Sequence, residues 1–525
     1  MGGKGKTEQL VNEDLINRYG QAIEDLNKLK KQNEELRGVL RRQETVKKPV
    51  LVPNVSDLYT YEHEIARRDL DNSIKELYYY LKDQFSRTNE SFLEHATNQI
   101  LFVLGKSSAL GSVDNAREWR TASLSNIASQ ISNRINALQN PEDCSAAKKL
   151  ICNLNKACGF GCQIHHVTYC FIVAYGTNRT LLLANDGQSW SYSRSGWESV
   201  FLPVSSCSYK KVIRSNRDTF TWNGYEGSMA YNAVLLPIID SLRHRPHFLP
   251  LAFPENFAHD LIKYHSNPPV FFISQFMRYL MRPNENTKRK VELAASKIPF
   301  ADGPIVGLQI RRTDKVGTEA AFHPLAEYMN WAEIWFRVEE NRLGRKLARR
   351  VFVASDDPDV FGEARNSLQR EFAGTVTYSH YEIFGDDSIA KSAQLKSRYS
   401  EQSLIGVIID IELLARCSYL VCTFSSQVCR MGYELMQARV GDAGESFHSL
   451  DDLYYYGGQE AHEQVAVGSY KAETANEIDL EVGDVIGVAG NHWNGFSKGT
   501  NRRTGKSGLY PSYLVREKWI TVKFP

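Results

Sequence analysis

Apolar side chains recur at alternating spacings of four and three residues near the start of the chain. The positions in this series are Leu15, Tyr19, Ala22, Leu26, Leu29, Asn33, Leu36 and Leu40. Such a heptad spacing is typical of a coiled coil, in which one buried Asn fixes the register and the number of strands. The pattern predicts a homodimer formed through N-terminal helices. The alternative is a single amphipathic helix that packs on its own protein.

Two prolines, Pro49 and Pro53, interrupt this first helical pattern, and a second helical stretch begins at about Asp57. Two helices in each chain could form a four-helix bundle in a dimer. We therefore assign residues 1–140 to an N-terminal coiled-coil or helical dimerisation region.

Short apolar runs alternate with helical patterns between residues 141 and 455. Runs suited to buried strands occupy residues 305–310, 351–354 and 419–423. This alternation predicts an α/β fold with a parallel, Rossmann-like sheet over about 300–450. Ligands bind beyond the carboxyl ends of such strands, so the polar clusters that follow the three runs should share one rim. These clusters are Arg311–Glu319, Asp356–Asp357 and Phe424–Gln427.

The last region, residues 459–520, has the pattern of a small β-barrel. Its blocks EIDLEVGDVIGV, NHWNGF and GKSGLYPSYLV resemble an SH3 domain in order and spacing. SH3 domains usually bind polyproline helices in an aromatic groove. Here the sequence AVGSY, which begins at Ala466, replaces the usual ALYDY-like opening and removes a groove tyrosine. Binding of proline ligands is therefore not expected.

Composition narrows the class of protein. The 525 residues carry a formal net charge of +2, which gives no support for a nucleic-acid partner. No run of about 18 apolar residues is present, and the segment MGGKGKTEQL lacks the apolar core of a signal peptide. Either the protein is cytosolic or a membrane anchor is absent from this chain.

Nine cysteines favour one of these two compartments. They are Cys144, Cys152, Cys158, Cys162, Cys170, Cys207, Cys417, Cys422 and Cys429. Dense, closely spaced cysteines indicate disulfides and an oxidising compartment. The alternative is a zinc site built from Cys158, Cys162, His165, His166 and Cys170, although the paired spacing of common zinc sites is missing. Three sequons, at Asn54, Asn89 and Asn178, agree with a secretory lumen.

A charged segment, Arg311–Glu319, directly follows the first predicted strand of the Rossmann-like sheet. Arginines can stabilise the charge on a departing diphosphate, and a carboxylate such as Glu319 can take a proton from an attacking hydroxyl. Lys315 lies four residues before Glu319 and could pair with it. By itself the segment fits either a transferase site or a charged surface loop.

Longer segments are more specific. They are VGLQIRRTDKVGTEAAFHPLAEYM, SDDPD, RYSEQSLIGVIIDIELLARCSYLVCTFSSQVCRMGYELM and FHSLDDLYYYGGQ. In these segments the chain resembles the α-1,6-fucosyltransferase family, glycosyltransferase family 23, and the resemblance extends over nearly the whole chain. The resemblance implies a GT-B-like half in the catalytic domain and inverting transfer of fucose from GDP-fucose to O6 of the innermost GlcNAc of an N-glycan. It also implies that no metal or other cofactor is needed. The full-length protein would be a type II membrane protein of the Golgi lumen.

The same resemblance implies roles for individual residues. Glu319 would be the general base, and Arg311 would contact the diphosphate with support from Lys315 and Arg312. The other donor-site residues would be Asp410 at the guanine edge, Ser426, Gln427, Tyr192, Asp356 and Asp357. Acceptor contacts would come from Lys156, Asp240, Asp451, Gln459 and His492. The implied disulfides are Cys144–Cys207, Cys152–Cys170, Cys158–Cys162 and Cys422–Cys429, with Cys417 a buried free thiol.

One residue departs from the pattern of the wider group of GDP-fucose enzymes: Gln309 stands where these usually have His. Donor affinity would fall if the imidazole makes the contact. Simpler interpretations also exist for several residues: Asp410 on a solvated helix face, Asp356 and Asp357 as helix caps, and His492 as an ordinary loop residue. The Asp357-Pro-Asp359 segment resembles a metal-binding DxD motif, but its proline argues against metal use.

Two functions of other classes compete with transfer. One is a cytosolic scaffold with dimerising helices and an SH3 module, which the cysteine cluster argues against. The other is a lectin-like glycan binder without activity, which the Arg–Arg–Glu set argues against.

Overall fold

The structure is a computed structural model that describes residues 59–85, 90–188, 190–215, 219–313, 317, 320–367, 380–394 and 396–525, with Gln21, Glu24 and Lys28. These last three are helical and exposed, whereas every heptad position lies outside the described residues. The N-terminal coiled coil therefore stays a prediction. Chain contacts divide the protein into Met1–Leu58 and Tyr59–Pro525, and the elements below belong to the second unit.

Three long helices precede the first strand: α1 Tyr61–Phe85, α2 Glu90–Leu110 and α3 Ala116–Gln139. Helices α1 and α2 pack against each other. On α2, Leu101 and Leu104 are buried, whereas Phe102 and Val103 on the opposite side are exposed. One face of the helix therefore belongs to the core, and the other leaves apolar surface in solvent.

A first parallel sheet follows, which the sequence analysis did not identify. Its strands are β1 Lys149–Cys152, β2 Thr180–Leu183, β3 Phe220–Thr221 and β4 Ala233–Leu236, in the order β2-β1-β4-β3. Helix α4, Phe160–Gly176, connects β1 to β2 and is buried along almost its whole length. Strand β3 has only two residues, and the other three strands have four residues that are nearly all buried, so no alternating pattern separates them from a buried helix.

Two short helices, α5 Tyr209–Val212 and α6 Tyr225–Met229, connect strands of the first sheet. The elements between the two sheets are, in chain order, β5 Phe253–Pro254, α7 Glu255–Tyr264, α8 Pro268–Leu280 and α9 Glu285–Ala295. Helix α8 packs on α4, and α9 leads into the second sheet.

The second sheet is Rossmann-like. Its strands are β6 Val306–Ile310, β7 Arg349–Ser355, β8 Tyr381–Phe384, β9 Tyr419–Cys422 and β10 Phe447–Ser449. All pairs are parallel, in the order β10-β9-β6-β7-β8. The predicted α/β fold is confirmed, and the three predicted runs are β6, β7 and β9. The connecting helices are α10 Leu325–Leu343, α11 Asp359–Ser367, α12 Asp387–Ser392, α13 Glu401–Leu414 and α14 Gln427–Val440.

The C-terminal region forms an antiparallel SH3-like barrel, as predicted. Its strands are β11 Glu463–Ala466, β12 Val485–Asn491, β13 Phe496–Asn501, β14 Ser507–Pro511 and β15 Val515–Glu517. The barrel packs on α1, where a Cβ on Gly495 (φ +90°) would lie 2.8 Å from Tyr80 Cβ. A last strand, β16 Thr521–Val522, pairs with β5 and returns the chain to the first sheet's half of the molecule.

All four implied disulfides are present: Cys144–Cys207, Cys152–Cys170, Cys158–Cys162 and Cys422–Cys429. Cys417 is a buried free thiol, also as implied. The zinc alternative is wrong, because its three cysteine sulfurs are in disulfides and are not available as thiolate ligands. Within the described part of the chain, every helix is too short or too polar to cross a membrane.

A buried carboxyl lies between α1 and the barrel. Glu76 Oε1 accepts a hydrogen bond from Asn491 Nδ2 at 3.3 Å. Burial raises the pKa of Glu76 from its ordinary 4.5 to about 7, although Asn491 and Lys75 act in the opposite direction. The fold thus favours the protonated form, and stability should be lost as pH rises from about 4.5 to about 7.

We expect Glu76→Gln to remove this pH dependence, because the amide keeps the acceptor oxygen and does not ionise. The raised pKa corresponds to a loss on the order of 3 kcal/mol in the wild type across this interval. Thermal unfolding between pH 4.5 and 8 measures it: the variant should gain stability over the wild type as pH rises. Parallel pH profiles for the two proteins would contradict the expectation.

Candidate active site

The strand order determines where a ligand can bind. Strands β6 and β9 are neighbours, and their connections leave in opposite directions across the sheet. In such sheets the ligand lies at this switch point, outside the carboxyl ends of the strands. The clusters at 311–313, 356–357 and 423–427 follow β6, β7 and β9 directly, so the three polar clusters lie along one edge as predicted.

The loop after β6 is anchored by Asp356. Its Oδ1 accepts the Arg312 backbone N–H at 2.9 Å and its Oδ2 accepts the Thr313 N–H at 3.3 Å. The Arg311 guanidinium and the Thr313 hydroxyl also donate to Oδ2. A carboxylate with this many donors fixes both the backbone of the loop and the direction of the Arg311 side chain.

Asp357 makes hydrogen bonds at the start of α11 and not to the loop after β6. Its Oδ1 accepts the Asp359 N–H at 3.0 Å at the start of α11, and its own N–H donates to Ser355 Oγ at 3.1 Å. The helix-cap interpretation therefore describes Asp357, and not Asp356. An Asp357 side chain engaged with the backbone of its own helix also weakens the resemblance to a DxD metal motif.

The two arginines differ as well. Arg312 forms a bidentate ion pair with Glu363 of α11, with Nη2–Oε2 at 2.8 Å. The Arg312 side chain is only 6% exposed. Arg311 pairs with Asp356 and keeps 17% exposure. Arg311 is therefore the better placed of the two to meet a ligand, and Arg312 holds the loop to α11. Lys315 and Glu319 lie outside the described residues.

The loop after β9 is anchored by a second carboxylate, Asp451. Its Oδ1 accepts the Phe424 N–H at 2.7 Å and its Oδ2 accepts the Ser425 N–H at 3.3 Å. This loop leads to Ser426 at the N-cap of α14 and Gln427 in its first turn. The N-terminus of α14 thus opens at the switch point, where a helix end favours an anion. Asp451, implied as an acceptor contact, is engaged by loop amides and acts here as a positioning residue.

A buried histidine that the sequence analysis considered only as a zinc ligand positions Gln427. His165 Nδ1 lies 2.8 Å from Gln427 Oε1 and 2.9 Å from the Gly161 carbonyl oxygen. Its Nε2 lies 3.0 Å from Glu434 Oε1, and Glu434 is completely buried. Because a hydrogen-bond partner faces each ring nitrogen, the His165 ring is held in one orientation. The pair links α4 to α14, and its one signal in the sequence is a polar residue at a buried position of each helix.

The SH3-like barrel also contacts the loop region that Asp451 anchors after β9. Trp493, between β12 and β13, donates from Nε1 to the Asp451 carbonyl oxygen at 3.1 Å. Its φ of +54° is rare for a bulky residue and shows that the hairpin is held against local preference. The neighbouring His492 is exposed, and its N–H closes the hairpin to Phe496 O at 3.0 Å. His492 thus lies in the β12–β13 hairpin, next to the residue that donates to Asp451.

The other implied acceptor residues come together on the first sheet's half. Lys156 Nζ lies 2.8 Å from Asp240 Oδ2. Gln459 follows Gly458, which packs against Ile239, the residue before Asp240. Lys156 also borders an open cleft of about 360 Å³. The other side chains along the cleft are Asn155, Ala157, Gln163, Trp190, Ser191 and Tyr399.

Tyr192 lies under this cleft, with its ring centre 5.0 Å from that of Tyr399. Burial raises the pKa of Tyr192 to about 12, so its hydroxyl stays protonated. Asp410 is 7% exposed, which rules out the solvated-face interpretation. Its burial and the Asp386 carboxylate raise its pKa well above the usual range.

One buried acceptor at this edge has no hydrogen-bond donor among the residues that the structure describes. It is Gln309 Oε1, on β6 two residues before Arg311. A buried acceptor without a donor is costly, so this oxygen is suited to receive an N–H donor from a ligand.

Comparison with known proteins now identifies the family. Residues 3–455 match the model of the alpha-(1,6)-fucosyltransferase N- and catalytic domains, and residues 466–516 match a variant SH3 domain. The chain belongs to the alpha-(1,6)-fucosyltransferase family. An alpha-(1,6)-fucosyltransferase of Caenorhabditis elegans is 45% identical over 97% of this chain and 94% of its own length. One of Drosophila melanogaster is 42% identical over 88% of this chain and 74% of its own length.

The chain is thus a fucosyltransferase, and the non-enzymatic scaffold and the inactive lectin-like binder are both wrong. Among the described residues, the one cluster of three possible metal ligands is Cys152, His166 and Cys170, which is not the predicted zinc set. Two of these are joined in a disulfide.

The two adjacent aspartates offer a matched pair of variants. Asp356→Asn puts an amide N–H₂ against the donors that hold the loop, so we expect kcat/KM for fucosyl transfer to fall roughly 10- to 100-fold. Asp357→Asn keeps a good cap acceptor and should stay within about twofold of the wild type. Steady-state kinetics measures both. Equal losses in the two variants would show that the loop anchor has no special importance.

Proposed function

We propose that this fucosyltransferase transfers fucose from GDP-fucose to O6 of the innermost GlcNAc of N-linked glycans, by inversion and without a metal. The observation that carries the proposal is the meeting of Arg311 and the N-terminus of α14 at the switch point of the sheet. Both favour negative charge at the place where a nucleotide diphosphate would lie.

The donor side has complementary chemistry for GDP. Negative charge grows on the diphosphate as the glycosidic bond breaks, and Arg311 and the α14 N-terminus would stabilise it. A guanine edge carries N–H donors, which the Asp410 carboxyl and Gln309 Oε1 could accept. Gln309 would then replace the family's His through its side-chain oxygen. Ser426, Gln427 and Tyr192 would border the diphosphate and the sugar.

On the acceptor side, we assign Glu319 as the base that takes the proton from the attacking hydroxyl. Inversion requires the base on the face opposite the leaving diphosphate. Lys315 would tune its charge. Glycan contacts would come from Lys156 at the cleft, its ion-pair partner Asp240, Gln459, and His492 in the barrel. Asp451 would act through the loop after β9.

Two further proposals concern assembly and location. We propose a homodimer through the N-terminal helices, supported by exposed Leu70 and Leu77 on α1 and Phe102 and Val103 on α2. Sedimentation equilibrium that gives a monomer mass at micromolar concentration would exclude it. We propose the Golgi lumen as the location, supported by the four disulfides. Immunostaining of the full-length protein outside the Golgi would exclude that.

One assay tests the activity: purified protein, GDP-fucose and an N-glycan with a terminal GlcNAc on its α1,3 arm, with and without EDTA. We expect transfer to the innermost GlcNAc at the same rate in both arms. Absence of transfer would overturn the proposed reaction. Loss of transfer in EDTA, restored by a divalent cation, would overturn the metal-free mechanism.

Glu319→Gln separates a base from a structural residue. The amide cannot accept the proton, so kcat should fall by at least about 100-fold, in line with the contribution of a general base. The affinity for GDP, measured by calorimetry, should change less than about twofold, because the diphosphate contacts remain. Joint loss of turnover and GDP binding would assign Glu319 a structural role.

A further inference from the structure

The turn between α4 and β2 carries the sequon Asn178-Arg179-Thr180, which the fucosyltransferase site does not use. Of the three sequons, it is the one whose Asn lies in the described part of the chain. Asn178 is exposed and has φ +50°. From the position of this sequon we propose that Asn178 carries an N-linked glycan. The proposal rests on the lumenal location proposed above and goes beyond the transfer activity.

The Asn178 side chain presents the reacting nitrogen to solvent. Its Oδ1 accepts a hydrogen bond from Arg134 Nη2 at 2.9 Å, and Arg134 also donates to the Tyr175 carbonyl oxygen at 3.1 Å. The carbohydrate is joined to Nδ2, for which no described group serves as acceptor. A glycan can therefore be attached at this exposed nitrogen without loss of the Arg134 contact.

The hydroxyl of the sequon shows when the modification must occur. Thr180 is buried at the start of β2, and its Oγ1 donates to the Leu138 carbonyl oxygen of α3 at 2.7 Å. The sequon is recognised through this hydroxyl as well as through the amide. Because the folded protein hides it, attachment must precede the packing of α3 on β2. The sequon also lies inside the loop closed by the Cys144–Cys207 disulfide.

The reaction needs one co-reactant, an oligosaccharide linked through pyrophosphate to a lipid. The bond between the sugar C1 and the pyrophosphate oxygen breaks, and a bond between C1 and Asn178 Nδ2 forms. The amide loses one proton, and the lipid pyrophosphate is the leaving group. No oxidation or reduction is involved.

The glycan would not obstruct the fucosyltransferase site. Asn178 follows the C-terminal end of α4, whereas the N-terminal end of this helix contacts Gln427 through Gly161. A helix of 17 residues is roughly 25 Å long. Donor and acceptor residues therefore lie at the far end of α4 from the sequon.

The test uses the full chain, directed into the secretory pathway of a eukaryotic cell, in an Asn54→Gln, Asn89→Gln background that leaves one sequon. We expect a single mobility shift that peptide-N-glycosidase removes, with conversion of Asn178 to Asp in the peptide map. An unmodified Asn178 in most of the secreted protein would overturn the proposal.

Two variants keep the fold while they test the site. Asn178→Gly suits the positive φ and should abolish the shift. Thr180→Ser keeps the hydroxyl and should retain the mobility shift. The glycine variant serves as the unmodified reference. Loss of the shift in Thr180→Ser would contradict recognition through the hydroxyl. Fucosyl transfer by Asn178→Gly should stay within about twofold of its parent. Because the glycan is read by mass and transfer by activity, failure of one proposal is distinguishable from failure of the other.

Discussion

The site depends on two buried or half-buried carboxylates that collect backbone N–H groups from neighbouring loops. Asp356 holds the loop after β6, and Asp451 holds the loop after β9. A loop at the edge of a sheet has amides that no strand satisfies, and a charged acceptor orders several of them at once. Because β6 and β9 are adjacent, the two ordered loops face each other across the switch point.

The catalytic half also depends on the half that contains the first sheet. The buried pair of His165 and Glu434 joins α4 to α14, and His165 also holds the Gln427 side chain in the first turn of α14. A buried hydrogen-bonded pair adds little net stability, but loss of one partner is costly because it leaves a buried polar group without a hydrogen bond. The pair therefore acts less as a source of stability than as a constraint on how the two halves meet.

The SH3-like barrel is better understood as part of this framework than as a separate binding module. Trp493 bonds to Asp451, and Gly495 leaves room for Tyr80 of α1. Beyond the barrel, β16 pairs with β5, and Phe524 packs with its ring centre 5.6 Å from that of Tyr175. The chain thus crosses from the catalytic sheet through the barrel to the first half. Of the barrel's aromatic side chains, Trp493 is thus engaged with the catalytic domain.

Much of this architecture could be predicted from local sequence. The strands β6, β7 and β9 are apolar runs flanked by helical patterns, and the barrel has its turn residues in order. The disulfide pairs followed from resemblance to the family, because nine cysteines alone allow many pairings. The first sheet escaped prediction, because its short buried strands lack periodicity.

Sequence by itself thus determined the fold class, the family and the set of charged residues beside the strands. Only the tertiary structure decided which contacts each of those residues makes. Asp356 and Asp357 are adjacent and chemically identical, yet one orders the loop after β6 and the other caps α11. Arg311 and Arg312 differ in the same way, because successive side chains after a strand point to opposite sides. Which side holds a partner depends on strands and helices distant in sequence, and no local pattern records it.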